Sequence, residues 1–305
     1  MTTLYASVIH LVAEHEVRLE KPGGQHAHAA FLELVREIDP ELAGRLHDTN
    51  GRKPFTTSPL MTWAQGGRGE MGPALGRRES VTLPVGWEGW LRVTLLDEAL
   101  FRVFIDHFLF GAARPRLRLG DGHFLVKEVL TTPGSHSWAG VARSEDLRGL
   151  LDVPAPQRLG LRLATPTAFS LGDERVATFP SPDLVFMNLA RAWEGLGEDH
   201  GISSPLRDYV NTQVLAGAYR LHTEPFLLQN QTQLGAVGEV EYVRLDGTDH
   251  PLGRALNLLT QFAFFAGLGR KTAMGMGMVR PEEPLKGARF PFGEGPAPER
   301  TAEES

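Results

Sequence analysis

Hydrophobic and polar positions alternate along the chain in blocks that predict an ordered series of strands and helices. The apolar run LYASVIHLVA predicts a buried strand over residues 4–13, and QHAHAAFLELVREI predicts a helix whose apolar stripe runs from Ala27 to Ile38. WLRVTLL alternates as a strand does, and Asp97 after it is a suitable cap for a second helix. The strands RPRLRLG and HFLVKEVL complete this first half.

The same order of elements returns in the second half of the chain. RLGLRLAT alternates as a strand, and Ser181-Pro182-Asp183 is typical of a helix start. Two strand-like runs near residues 213–225 and 236–245 follow, then a helix over 252–266 and the strand MGMVR. Strand, helix, strand, strand, helix, strand is the ferredoxin-like order, and the first half fits it as well. We therefore predict an α+β protein with two tandem ferredoxin-like domains.

The segment DVPAPQ, residues 152–157, interrupts the hydrophobic pattern with two prolines that favour extended backbone. This break predicts a first domain over residues 1–153 and a second over residues 154–282. Residues 283–305 are rich in proline, glycine and glutamate, and this composition predicts a disordered tail.

Composition restricts the chemistry that the chain can perform. With 305 residues and 42% hydrophobic content the chain can bury a substantial core, and the absence of cysteine excludes disulfides, iron–sulfur clusters and thiol nucleophiles. The N-terminus has no signal-peptide pattern and no long uncharged apolar run follows, so we expect a cytoplasmic protein without membrane association. The net charge of −6 argues against indiscriminate nucleic-acid binding but is compatible with a local basic groove.

A glycine-rich stretch, GLGRKTAMGMGM, follows the last predicted helix; we call residues 267–278 the glycine loop. Glycine caps helices and fits crowded backbone, which is the simpler explanation for any one of these glycines. Two matched Gly-apolar-Gly units exceed what a cap needs, and the basic residues between them favour a polyanionic ligand. The loop follows a helix and precedes a strand, so it fits neither a P-loop nor a dinucleotide fingerprint. The candidate binding residues are Gly267, Gly269, Arg270, Lys271, Thr272, Gly275 and Gly277.

In this position the glycine loop resembles the signature loop of the repeat-associated RNA-binding superfamily of CRISPR systems. LHDTNGRKPFTTSPL, residues 46–60, is similar to the segment after the first helix of the CRISPR-associated protein six family, and ATPTAF resembles the first strand of that family's second domain. The resemblance covers about residues 1–281. It implies an endoribonuclease that cuts CRISPR precursor RNA within its repeats. Effector-complex subunits and a second copy of the chain are further partners that it suggests.

RNA carries its own nucleophile, the ribose 2′-hydroxyl, so cleavage needs an acid, a base and a cation, and we predict no metal or other cofactor. In the resembling family a histidine and a lysine at matching positions are active-site residues, which implies His47 and Lys53 here. Family members also use a tyrosine or second histidine on the first helix. This sequence has no tyrosine there, and we favour His28 over His26 because His28 lies at the edge of the apolar stripe. For each histidine, ordinary packing or solvation is the alternative.

Two further groups of polar residues are candidates for binding RNA or a metal ion. Arg114, Arg116 and Arg118 alternate along a strand, so their side chains point to one face, where they fit either an RNA backbone or the solvated face of an edge strand. Asp246, Asp249 and His250 are the nearest approach to a metal-binding cluster, and we interpret them as a polar turn.

Two rival functions stay open on the sequence. A non-cutting superfamily subunit that holds guide RNA in a larger complex would bind RNA but would not need His47. An unrelated ferredoxin-like anion binder would show no notable affinity for RNA.

Overall fold

A computed structural model describes residues 2–48, 51–63, 71–74, 79–110, 115–197, 203–228 and 231–285. The elements of the N-terminal half are the strands β1 Thr3–Ala13, β2 Val17–Glu20, β3 Phe55–Thr57, β4 Met61–Trp63, β5 Met71–Ala74, β6 Ser80–Leu83, β7 Glu88–Leu95, β8 Arg116–Leu119, β9 Gly122–Leu130 and β10 Gly140–Arg143, and the helices α1 Gly24–Ile38, α2 Pro40–Asp48, α3 Glu98–Phe110 and α4 Ser144–Arg148.

An eight-stranded antiparallel sheet forms the N-terminal half. Its main path is β5-β4-β7-β1-β9-β8, with β3 also paired to β7 and β10 also paired to β1. The central order β9-β1-β7-β4 places the fourth, first, third and second strands of a ferredoxin-like unit side by side. β2 and β6 form a separate two-stranded sheet.

The C-terminal half has a simpler plan. It consists of the strands β11 Arg158–Thr167, β12 Phe169–Gly172, β13 Arg175–Ala177, β14 Val214–Leu228, β15 Gln231–Arg244 and β16 Val279–Glu282, and the helices α5 Pro182–Glu194, α6 Ser203–Gln213 and α7 Pro251–Ala266. The sheet order β14-β15-β11-β16 is the ferredoxin-like order, and β12 pairs only with β13. The prediction of two tandem ferredoxin-like domains is confirmed.

β1 explains why the first strand is apolar at nearly every position. Ile9 and Leu11 face the N-terminal core, where they pack with α1 and β7. Leu4 and Ala6, on the opposite face, belong to the hydrophobic core of the C-terminal half. Because both faces of β1 are buried, the usual alternation of polar and apolar residues is lost.

Most of the predicted elements are found close to their expected bounds. Asp97 caps α3, because its Oδ1 accepts hydrogen bonds from the N–H groups of Ala99 and Leu100 at 2.7 and 3.1 Å. One prediction was wrong: Ile38 is 46% exposed and does not belong to the buried stripe of α1. It is the last residue of the helix, beyond the length of α1 that packs on the sheet.

The connection between the two halves runs from α4 through a short 3-10 helix over Gly149–Asp152 and residues 153–157 to β11, the first strand of the C-terminal half. The predicted domain boundary at 153/154 falls between the two groups of strands and stays a prediction. The structure describes the first three residues of the predicted tail, 283–285, and the N–H of Leu285 donates to Glu241 Oε2 at 2.7 Å. Residues 286–305 lie outside the described residues.

Among the described residues the longest helix is α7, with 16 residues, and none of the helices there has the length and apolar character needed to cross a bilayer. The expected cytoplasmic location stays a prediction.

Candidate active site

The glycine loop packs tightly against its own chain. Gly267, Gly269, Gly275 and Gly277 all have positive φ angles, at 67°, 82°, 96° and 68°. A Cβ atom on Gly277 would overlap the carbonyl oxygen of Leu268, and one on Gly269 would overlap the carbonyl oxygen of Ala168. Side chains are therefore excluded at these positions by backbone geometry alone. RNA contact at the glycines stays a prediction, since their presence already has a structural reason.

The loop also docks on the N-terminal half. Gly24, the first residue of α1, lies so close to Met274 and Gly275 that a Cβ on it would overlap their backbone atoms. Next to this crossing, the carbonyl oxygen of Ala273 accepts two hydrogen bonds from the N-terminal half, from His28 and from Thr57 Oγ1, each at 2.9 Å. The second domain's loop is thus held by α1 and β3 of the first.

His28 faces this loop, and His26 does not. His28 uses Nδ1 to bond the carbonyl of Ala273, and its ring stacks on Phe55 with 5.6 Å between centroids. Because a carbonyl only accepts, the neutral ring carries its proton on Nδ1 and has Nε2 as its basic nitrogen. His26 instead donates from Nε2 to the carbonyl of Glu20 at 2.9 Å.

Residues 46–55, which we call the histidine–lysine segment, lead from α2 into β3. His47 lies in the last turn of α2, and its side chain is outside the described residues, as are residues 49–50. Lys53 is half-buried and donates from Nζ to the carbonyl of Leu46, the residue before His47. This bond brings Lys53 back to the end of the helix that carries His47.

Arg52 is the residue of this site that the sequence analysis missed. Its guanidinium bonds the carbonyls of Ala266 and Gly267 at 2.6 and 2.9 Å and the Oδ1 of Asn188 at 3.2 Å. Burial lowers the pKa of Arg52 to about 10, so it stays charged at neutral pH. No sequence signal marks this role, because two of its three acceptors are backbone carbonyls that any residue supplies.

The polar residues of the glycine loop differ in exposure. Arg270 and Lys271 are half-buried, and Lys271 has a left-handed backbone with φ of 58°. Thr272 is buried, and its methyl group lies close to Gly267 and Gly277. The predicted RNA contacts of these three residues stay predictions, with Arg270 and Lys271 the more accessible.

β8 carries the predicted arginine face. Arg116 and Arg118 are exposed and alternate with buried leucines, as expected for a strand at the edge of the sheet. Both are paired with carboxylates: Arg116 Nε lies 2.6 Å from Glu14 Oε2, and Arg118 Nη2 lies 3.1 Å from Glu33 Oε2. Arg114 lies outside the described residues. The ion pairs reduce the positive charge that this face offers, and its contact with RNA stays a prediction.

The acidic turn before α7 is held by arginines. Asp246 pairs with Arg244 at 3.0 Å, and Asp249 pairs with Arg254. His250 Nδ1 accepts the N–H of Leu252 and so caps α7. Across the part of the chain that the structure describes, no group of three or more His, Asp or Glu side chains is arranged to hold a metal ion.

The fold and the site define a protein with two ferredoxin-like domains and a histidine that the first domain sets against a glycine-rich loop of the second. Two family profiles match the chain: "CRISPR Cas6 N-terminal domain" over residues 4–148 and "CRISPR-associated endoribonuclease Cas6" over residues 161–279. The chain belongs to the Cas6 family.

Individual relatives agree with this membership. The chain is 28% identical over 127 residues to the CRISPR-associated endoribonuclease Cas6 of Mycobacterium tuberculosis, covering 42% of this chain and 40% of the relative. It is 31% identical over 120 residues to the one of Streptococcus thermophilus, covering 39% of this chain and 48% of the relative. The matched regions thus span less than half the length of these two relatives.

Solved structures match over more of the chain. A Cas6 product complex has a TM-score of 0.74 and 28% identity, covering 92% of this chain and 100% of that one. Thermus thermophilus Cas6 has a TM-score of 0.68 and 27% identity, covering 92% of this chain and 99% of that one.

Proposed function

We propose that this protein is an endoribonuclease that cleaves CRISPR precursor RNA within its repeats to release guide RNAs. The observation that carries the proposal is the position of His28: the ring is anchored on Ala273 of the glycine loop and stacked on Phe55, at the end of the histidine–lysine segment. The endoribonuclease activity for which the Cas6 relatives are named, and the likeness to a Cas6 product complex, support the same substrate class.

The proposed reaction is transfer of the phosphate to the neighbouring 2′-hydroxyl. His28 Nε2 removes the proton from the 2′-hydroxyl, the 2′-oxygen attacks phosphorus, and the bond from phosphorus to the 5′-oxygen breaks. A second group, for which we propose His47, gives a proton to the departing 5′-oxygen, leaving a 2′,3′-cyclic phosphate. Each such proton transfer contributes typically about 10²- to 10⁴-fold to a rate.

Lys53 is proposed to stabilise the negative charge that builds up on the phosphate oxygens. An ammonium has three protons, so Lys53 can donate one to Leu46 and direct another toward the RNA. The mechanism uses side chains alone, and we propose that no metal takes part. Arg270 and Lys271 are proposed to hold the RNA backbone.

The test uses purified protein in EDTA with a labelled repeat RNA and with a copy carrying 2′-deoxyribose at the cut site. We expect one cut in the RNA, none in the deoxy copy, and a rate at least 100-fold lower in His28→Ala and in His47→Ala. His26→Ala is the matched control, because His26 lies on the same helix but bonds Glu20 instead of the loop. Cleavage that disappears in EDTA would contradict metal independence.

Tight RNA binding without a cut by the native protein would instead support the non-cutting scaffold function. Effector-complex subunits and a second copy of the chain remain proposed partners, which co-purification and the molecular mass in solution test.

A further inference from the structure

Two arginines of the N-terminal half, the buried Arg92 and the half-buried Arg52, reach the C-terminal end of α7 in the C-terminal half. Arg92, on β7, donates to the carbonyl of Phe264 at 2.6 Å, and Arg52 donates to those of Ala266 and Gly267. The last carbonyls of a helix have no partner within it and carry partial negative charge. The two guanidiniums therefore cap α7 from the neighbouring domain.

Both guanidiniums stay charged although they are largely shielded from water. Burial lowers the pKa of Arg92 to about 9 and that of Arg52 to about 10, and neither value brings deprotonation near neutral pH. Hydrogen bonds to the helix end offset part of the cost of shielding each charge from water, so each guanidinium depends on the helix end as much as the helix end depends on it.

The two arginines differ in what else they touch. Arg92 also donates to the carbonyl of Trp138 at 2.8 Å and lies over the ring of Phe264. Neither of these residues belongs to the histidine–lysine segment or to the glycine loop. Arg52 belongs to the histidine–lysine segment, directly before Lys53, and its acceptor Gly267 is the first residue of the glycine loop.

Asn188 on α5 strengthens this connection. Its Oδ1 accepts from Arg52 Nη1 at 3.2 Å and from the N–H of Gly269 at 3.0 Å. One side-chain oxygen thus joins the histidine–lysine segment to the second glycine of the loop. Arg52 reaches the loop by two routes, through Gly267 directly and through Asn188.

We propose that Arg52 is a positioning residue, which fixes the histidine–lysine segment relative to the glycine loop and His28 without touching the reacting atoms. The proposal rests on the proposed function above. A displacement of about 1 Å in a catalytic group can cost about 10²-fold in rate. Loss of Arg52 should therefore slow cleavage while the rest of the surface still binds RNA.

The test compares Arg52→Lys with Arg92→Lys, since both arginines cap the same helix end. A lysine keeps the charge but lacks the planar fork that bonds several acceptors. We expect Arg52→Lys to lower the single-turnover cleavage rate 10- to 100-fold with the Kd for repeat RNA within threefold. Arg92→Lys should lower the Tm by about as much as Arg52→Lys does. It should leave the cleavage rate within threefold of that of the native protein.

Asn188→Ala provides a second variant should Arg52→Lys fold poorly. It removes the shared oxygen and keeps both arginines, so we expect the same signature in weaker form, a several-fold loss of rate at unchanged Kd. Cleavage rates that fall in equal proportion to Tm in the Arg52 and Arg92 variants would overturn the proposal, because Arg52 would then act only on stability.

Hydrogen exchange separates this proposal from the proposed function. In Arg52→Lys we expect faster exchange in residues 51–55 and in the glycine loop, and no such change in Arg92→Lys. If the native protein does not cut RNA, the proposed function fails, and the exchange data still decide whether Arg52 orders the two segments. Unchanged exchange in both segments would overturn the positioning role.

Discussion

The two regions that meet at the candidate active site are held in place by different means. The glycine loop is fixed mainly through its backbone, because Gly269 and Gly277 lie against carbonyl groups with no room for a side chain and the carbonyl of Ala273 accepts from His28 and Thr57. Among the described residues, the histidine–lysine segment is joined to the backbone of β7 only at its end, where the N–H of Leu96 donates to the carbonyl of Pro54, and its contacts with α2 and the glycine loop come from the side chains of Lys53 and Arg52. The loop should therefore fail by unfolding when it is altered, whereas the segment should lose geometry while the protein remains folded.

The largest effect is expected at Gly277. Alanine there would combine a positive φ of 68° with an overlap with Leu268, and we expect a loss on the order of 3 kcal/mol or more in the free energy of unfolding. Gly44→Ala in α2 is the control, because a Cβ there meets no atom within 4 Å and alanine favours a helix. Urea unfolding of both variants measures the difference. Equal stabilities would show that the loop can relax.

Gly24→Ala should have the next largest effect, since it pushes α1 away from the glycine loop at Met274 and Gly275. We expect a loss of about 2 kcal/mol and a cleavage rate reduced more than tenfold, because His28 moves with α1. Urea unfolding and single-turnover kinetics measure the two effects. If the variant were destabilised but cleaved RNA at the native rate, the contact of Gly24 with Met274 and Gly275 would not contribute to catalysis.

Thr57→Val tests the shared acceptor of the site. It removes one of the two hydrogen bonds to the carbonyl of Ala273 and keeps that of His28, so we expect a loss of about 1 kcal/mol. The variant should keep cleavage within a few-fold of the native protein. A 100-fold loss of cleavage rate would contradict this expectation. It would mean that the Thr57 hydrogen bond to Ala273 is as important for cleavage as His28 is.

The pH dependence of stability must be known before the histidines of the site are titrated. Burial, together with nearby Arg92 and Arg280, lowers the pKa of His136 from 6.5 to about 4. As pH falls from 6.5 to about 4, the unfolded chain binds a proton that the folded chain does not, so stability falls across this window and is unaffected above it. His136→Asn should flatten the dependence in urea unfolding at several pH values. If the free energy of unfolding of His136→Asn kept the same dependence on pH, groups other than His136 would be responsible for that dependence.

The smallest effects are expected on β8. Arg116→Gln and Arg118→Gln each break an exposed ion pair, so we expect less than about 1 kcal/mol in stability. Glu14 and Glu33 would compete with RNA phosphates for these arginines, so we expect each variant to reduce the salt slope of RNA binding by less than about one unit. A full unit for each would indicate direct phosphate contacts.

Much of the fold was predictable because long strands and helices carry a clear period. Leu91, Val93 and Leu95 face one core as their alternation indicates, and α7 begins one residue before its predicted start. The four strands β3 to β6 have three or four residues each, too few to show a period, and α6 was also missed. The connection made by Arg52 was beyond prediction, because its partner Ala266 lies 214 positions away and offers only a backbone carbonyl.

The bond from His28 to Ala273 joins residues that are 245 positions apart in the chain. At about 5 to 20 residues per second, a ribosome adds the second partner roughly 12 to 50 s after the first. A nascent or prematurely terminated chain therefore lacks the carbonyl that orients the histidine ring. The nuclease that we propose would therefore be assembled only after the glycine loop of the second domain has been synthesised.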